Sequence, residues 1–150
     1  MTNFSISIGN EEEGEWIRSQ LLAYNAKHAP TVYVPIVLKA IDDEGRIVGG
    51  LNAVHLWNWI EVNILWIDEQ FRGQGIGAQL LAQIEEKAKE WNCDYIKLNT
   101  FTFQAPNYYP KLGYKEYAVI PNLPPGFSHH FFIKELTEQL KPIITDRYNK

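Results

Sequence analysis

The order of patterns along the chain predicts an α/β domain built on a mixed, mostly antiparallel sheet flanked by helices. Three observations carry that prediction. A capped helical segment is followed by two β-favouring runs joined by a short polar turn, and strands joined so closely must pair antiparallel. A third β-favouring run passes straight into a glycine cluster, then an amphipathic helix, then another strand, and that unit makes its two strands parallel through a right-handed crossover. Two further strand-like runs follow a proline-interrupted stretch and extend the sheet.

Asn10 before Glu11, Glu12 and Glu13 reads as a helix cap and an acidic first turn, and Ile17, Leu21, Tyr24 and His28 recur at helical spacing up to Pro30. Val34 to Ile41 and Arg46 to Trp57 are the hairpin strands, with Asp42 to Gly45 as their turn. Trp59 to Ile67 is a strand rich in Ile, Val and Trp. Gly73, Gly75 and Gly77 follow it, and the next helix places Ile76, Leu80, Ile84, Ala88 and Trp91 on one side and Gln79, Gln83, Glu86 and Glu90 on another, with Asn92 as its stop. Tyr95 to Phe101 is the next strand, Ala105 to Leu112 a short helix interrupted by prolines, Tyr114 to Ile120 a strand, PNLPPG a rigid loop, and His129 to Leu136 the last strand. Residues 137–150 form a short, mixed tail.

At 150 residues one domain spanning 1–150 is expected, large enough to bury about two-thirds of its unfolded surface. No apolar run approaches the roughly 20 residues of a membrane span, and the N-terminus has no basic start followed by an apolar stretch, so the expected location is the cytoplasm. Cys93 stands alone and the four histidines are scattered, so neither a disulfide nor a metal site is expected. A net charge of -4 argues against a broad basic face for nucleic acid and mildly favours a cationic substrate.

The segment ILWIDEQFRGQGIGAQLL runs from strand through glycines into helix, a geometry that makes an anion site. The first N–H groups of a helix lack internal partners and carry the positive end of its dipole, and glycines let a phosphate approach closely. A Walker loop is excluded because no Gly-Lys pair occurs in the chain. Gly73, Gly75 and Ala78 satisfy GxGxxA, but a dinucleotide fold would want this unit at the start of a parallel sheet and an acidic residue about 20 positions later, and Tyr95 to Phe101 ends in Asn99, Thr100 and Phe101. Three glycines in five residues exceed what a tight turn alone requires.

Arg72, Gly75 and Gly77 match the Arg/Gln-x-x-Gly-x-Gly/Ala pattern of the GNAT acetyltransferases, and WIDEQFRGQGIGAQLL resembles that family's acetyl-CoA motif throughout. Downstream, Ala105, Tyr109, Lys111, Leu112, Gly113 and Tyr114 resemble its A-x-x-x-Y-x-K-L-G-F signature. The resemblance covers roughly Arg46 to Leu136. It implies a GNAT fold and acetyl-CoA as cosubstrate with no metal. The pyrophosphate would lie on Phe71, Arg72, Gly73, Gln74, Gly75, Ile76, Gly77 and Ala78. The rest of the coenzyme would run along Leu65, Trp66 and Ile67, with Thr100, Tyr108 and Lys111 beside it. It also allows a homodimer, with the tail packed across the interface.

Attack on a thioester needs a neutral amine, whereas an alkyl ammonium with a pKa of ~10.4 is almost fully protonated at neutral pH, so a base must take its proton and a donor must meet the departing thiolate. By resemblance Tyr109 is the donor. The family's asparagine seven positions earlier is Thr102 here. Two bases compete. Glu61 stands near the start of the strand leading to the glycines, where several GNAT enzymes carry a glutamate, and an acidic residue in an apolar strand needs a reason. His129 follows a Pro-Pro loop in PPGFSHHFFIK, as in small-molecule GNAT enzymes of the glyphosate N-acetyltransferase type, and adjacent strand residues face opposite ways, so only one of His129 and His130 can face the site. Tyr24, Asn25, His55, Trp57, Trp59 and Phe103 are candidates to line the pocket for a small-molecule amine, since aromatic faces suit a cation. Transfer to a protein amine, or a silent coenzyme A-binding module, are the rival readings.

Overall fold

A computed structural model describes residues 2–30 and 32–136. The tail over 137–150 lies outside the described residues. The backbone falls into two units, one up to Val32 and the other from Tyr33 onward.

The first unit holds helix α1 (Glu11–Ala26). Its start is a reciprocal capping box: the Glu13 N–H donates to Asn10 Oδ1 at 2.8 Å, and the Asn10 N–H donates to Glu13 Oε2 at 2.8 Å. The helix stops at Ala26 and not near Pro30, because the N–H groups of His28 and Ala29 both turn to the Asn25 carbonyl and close it as a turn.

The second unit is a six-stranded sheet in the order β1-β2-β3-β4-β6-β5, built from β1 (Tyr33–Ile41), β2 (Ile47–Leu56), β3 (Trp59–Ile67), β4 (Tyr95–Phe101), β5 (Lys115–Pro121) and β6 (Ser128–Glu135). All neighbours are antiparallel except β3 and β4, which are joined through α2 (Ile76–Glu90) and run parallel as expected. The β1–β2 turn is held by the Asp42 carboxylate, which accepts the N–H groups of Glu44 and Arg46 and the Arg46 side chain. Alternation puts Ile36, Leu51, Ala53, Ile60, Val62, Ile96, Leu98 and Phe132 against Leu80, Leu81, Ile84 and Ala88 of α2, which is the core. Ile60, Ile84 and Ile96 are fully buried, and each such side chain contributes about 1.5–3 kcal/mol by leaving water.

The expected helix over Ala105 to Leu112 is absent. Thr102–Gln104, Pro106–Tyr108 and Pro110–Leu112 are separate 3-10 turns. Pro106 and Pro110 supply no N–H and their rings crowd the preceding turn, so the i to i+4 ladder cannot form, and Ala105 between two of the turns is left-handed at φ 61°. What holds this segment is tertiary: Lys134 of β6 donates to the Leu112 carbonyl at 2.9 Å and pairs with Glu85 of α2 at 2.8 Å.

Candidate active site

Parallel pairing of β3 with β4 runs from Trp59↔Tyr95 to Val62↔Leu98 and stops there, although both strands continue. On its other side β3 carries a bulge: Ala53 pairs with Val62 and Asn52 with Ile64, which leaves Asn63 as the extra residue. A bulge bends its strand and raises its twist, and here it carries β3 away from β4. The divergence opens a cleft of about 1030 Å³. One wall is Asn63, Ile64, Leu65, Trp66 and Ile67; the other is Leu98, Asn99, Thr100, Phe101 and Phe103; Tyr108 and Tyr109 close it. Among the described residues the strand edges facing the cleft have no strand partner, so their backbone N–H and C=O groups need another partner.

At the end of β3 the chain turns through Glu69–Phe71 and reaches α2 by way of Gly73 and Gly75, both left-handed at φ 79° and 80°. Side chains rarely adopt that conformation, and a Cβ built on either glycine would meet no atom within 4 Å. The loop is therefore open toward whatever occupies the cleft. The start of α2 differs from that of α1. Gly75 provides no side-chain cap, and the first turn of α2 holds no acidic residue, whereas α1 satisfies its own start with Asn10 and Glu13. An uncapped N-terminus beside two open glycines suits an external anion. These observations fit the pyrophosphate of coenzyme A: Phe71, Arg72, Gly73, Gly75, Ile76 and Gly77 all line the cleft. The Arg72 Nε donates to the Ile67 carbonyl at 3.1 Å, which folds its side chain back against the end of β3. Gln74 instead borders a shallower recess beside β1, Ala78 lies in the first turn of α2 off the lining, and Lys111 is exposed on the last 3-10 turn.

Tyr109 is buried among Phe132, Tyr114 and Tyr108, with ring centroids 5.5, 6.1 and 5.6 Å away, yet it also lines the cleft. Burial, reinforced by the neighbouring Tyr108, pushes its phenol up from the ordinary tyrosine range, so its hydroxyl is a standing proton donor at neutral pH. The Tyr108 hydroxyl sits over the first turn of α2, where a Cβ on Gly77 would come within 3.3 Å of it.

The two histidines face opposite ways. His129 pairs with Phe101 and lies between the Phe101 and Phe131 rings at 4.5 and 4.3 Å, and its Nε2 is 2.9 Å from the Oδ1 of Asn99, a cleft residue. His130 lies on the Phe132 side, with Nδ1 2.8 Å from Glu116 Oε2 and Nε2 3.3 Å from Thr102 Oγ1. Thr102 also exchanges hydrogen bonds with the Ser128 backbone and so ties the end of β4 to the start of β6.

The other candidates within the second unit stand apart from the cleft. Glu61 is half-buried on β3, opposite Lys97 in the parallel pair, and accepts the Trp59 Nε1–H at 3.3 Å. Trp57 and Trp59 pack together at the start of β3, with ring centroids 5.7 Å apart, at the far end of the strand from the divergence. His55 stacks on Trp91 at 4.8 Å and has its Nε2 2.9 Å from the Trp57 carbonyl. Tyr24 and Asn25 belong to α1, where Tyr24 packs on His28. Of the expected acceptor residues in the second unit, only Phe103 lines the cleft. Sequence reasoning missed Asn63, Asn99, Phe101 and Gln104 as cleft residues. The polar alternation of Lys97 and Asn99 along β4 was the available signal.

The Acetyltransferase (GNAT) family model matches residues 5–114. The blasticidin-S acetyltransferase of Streptomyces morookaense is 40% identical over 98 residues, covering 65% of this chain and 72% of that protein. The crystal structure of an acetyltransferase from Bacillus cereus superposes with a TM-score of 0.82 at 38% identity, over 89% of this chain and 98% of that one. A Bacillus anthracis chain crystallised with acetyl coenzyme A shares the fold, with a TM-score of 0.61 at 23% identity over 69% of this chain and 63% of that one.

Proposed function

Because this chain belongs to the GNAT acetyltransferase family, whose members are acetyl-CoA-dependent N-acetyltransferases, we propose that it transfers an acetyl group from acetyl-CoA to the primary amine of a small molecule by direct attack on the thioester. The observation that carries this reading is the cleft between β3 and β4, which ends on an uncapped, glycine-flanked helix start at one side and on Tyr109 and Asn99 at the other. Similarity to a blasticidin-S acetyltransferase supports a small-molecule acceptor.

The residues divide the work by position. The N–H groups of Gly73 to Gly77 hold the pyrophosphate, and the unpaired edge of β3 beyond Val62 aligns the arm that carries the thioester and supplies N–H donors for its developing oxyanion. His129 takes the ammonium proton. Its Nε2 is engaged by Asn99 Oδ1, which in that arrangement accepts the Nε2 proton and leaves Nδ1 with the free lone pair. Glu61 is the rival base; neither residue is in the lining itself, but His129 touches the lining residues Asn99 and Phe101, whereas Glu61 bonds Trp59 at the other end of β3. Tyr109 gives its proton to the departing sulfur.

Acetyl-CoA turnover against a panel of small amines and of peptides with free N-termini or lysines, read as thiol release, tests the proposal. Turnover with small amines supports it. Turnover with peptides alone moves the acceptor class to proteins, and saturable acetyl-CoA binding without turnover of any acceptor leaves a silent coenzyme-binding module.

A further inference from the structure

At the mouth of the cleft two phenylalanines meet in water. Phe103 is 59% exposed and Phe127 is 44% exposed, their rings form an edge-to-face corner with centroids 5.0 Å apart, and neither belongs to the core. Both backbones are held in place. Phe103 sits in the Thr102–Gln104 turn, where the Gln104 side chain accepts the Phe101 N–H at 3.1 Å, and Thr102 is bonded to Ser128, the residue after Phe127. Phe127 donates its N–H to the Pro124 carbonyl at 2.9 Å and accepts the Leu123 N–H at 3.0 Å. Leaving such large apolar rings in water on a fixed frame forgoes burial, which is the pattern of a preorganised contact surface.

The corner is continuous with the reacting end. Phe103 stacks on Phe101 with centroids 5.5 Å apart and planes 11° from parallel, and Phe101 packs on His129. The chemistry of the lining restricts what fits. Arg72 is the only charged side chain among the described residues that line the cleft, and it lies at the coenzyme end, so no carboxylate there would hold a second cationic group of the acceptor. The acidity of the whole chain is not expressed at this site.

Resting on the proposed N-acetyltransferase activity, we infer that the acceptor carries a planar unsaturated ring, which lies against Phe103 and Phe127 and holds the amine toward His129. Recognition is by ring face and edge and not by ion pairing. The test uses amines paired by ring, benzylamine against cyclohexylmethylamine and phenethylamine against cyclohexylethylamine, with turnover expressed per neutral amine because a phenyl group lowers the ammonium pKa. Binding is read by ligand-observed NMR on the protein loaded with coenzyme A, and turnover by thiol release with acetyl-CoA. The aromatic member of each pair should bind and react roughly two- to twelvefold better, the range typical of one aromatic contact. Its ring protons should shift upfield. Phe103→Leu keeps an apolar side chain without a ring face and should abolish both the preference and the shift, with acetyl-CoA affinity unchanged; Phe127→Leu should reduce both. Equal binding of the saturated partners by the unaltered protein, or a preference that survives Phe103→Leu, overturns the inference even if amines are acetylated. Ring preference in binding without acetyl transfer leaves the inference standing and removes the proposed activity.

Discussion

Replacing Gly75 separates what the left-handed backbone requires from what the anion requires. Gly75 sits at φ 80° at the start of α2, and a Cβ there would meet no atom within 4 Å, so no clash enters either substitution below. Gly75→Ala then costs the left-handed conformation alone, about 1–2 kcal/mol, which for a chain of this length lowers Tm by roughly 3–8 °C. Gly75→Asp carries a comparable strain, eased by the tolerance of Asp for this region, and adds a carboxylate within about 4 Å of the place where a phosphate would rest. Two unit charges at that distance repel by about 1 kcal/mol with the dielectric of water and about 4 kcal/mol in the partly screened setting of a protein surface. Acetyl-CoA affinity should therefore fall by roughly fivefold to a thousandfold beyond any loss seen with Gly75→Ala. Calorimetric titration of acetyl-CoA into each variant, with melting curves beside it, reads both quantities, and added salt should narrow the gap between them. If folded Gly75→Asp binds acetyl-CoA as tightly as Gly75→Ala does, the anion site at the start of α2 is refuted.

Tyr109→Phe should lower kcat by about 10²- to 10⁴-fold with nearly unchanged acetyl-CoA affinity, because the ring keeps its packing and only the proton donor is lost; Tyr108→Phe is the control, and the reverse pattern in kcat would move the donor to Tyr108. His129→Ala should remove the acid limb of the pH–rate profile, since a base works only when unprotonated, whereas Glu61→Gln should keep that limb; profiles of the opposite kind would make Glu61 the base. Lys134→Met removes the ion pair with Glu85 and the bond to the Leu112 carbonyl and should destabilise by about 1–2 kcal/mol after allowance for solvent screening, read by denaturant melts. Partial burial raises the Glu85 carboxyl, but its bonds to Lys134 and Lys89 more than offset this and hold it below the ordinary value, so its contribution is present above the unfolded carboxylate range and is lost as pH falls through the folded value. The gap between the unaltered protein and Lys134→Met should accordingly shrink in acid; a gap independent of pH would mean that the Leu112 contact alone matters.

What the sequence determined by itself was local. The Asn10 cap with its acidic first turn, the Asp42 turn, the apolar side of α2 and the glycines before it were legible because each depends on residues a few positions apart, where one period or one special backbone conformation decides the outcome. Strand alternation likewise showed that His129 and His130 face opposite ways. It could not show what each would meet, because β6 lies between β4 and β5, an order that chain succession does not contain. His129 therefore finds Asn99, 30 positions away, and His130 finds Glu116 and Thr102. The end of β3–β4 pairing at Val62, the bulge at Asn63 and the corner of Phe103 with Phe127 are tertiary in the same sense. The 3-10 turns that replace the expected helix before Gly113 stand between the two cases: the prolines forbid the ladder locally, but Lys134 of β6, paired with Glu85 of α2, and the packing of Tyr109 on Phe132 hold the chain where Tyr109 can face the cleft. Periodicity tells a side chain which way to point, and strand order together with packing decides what it points at.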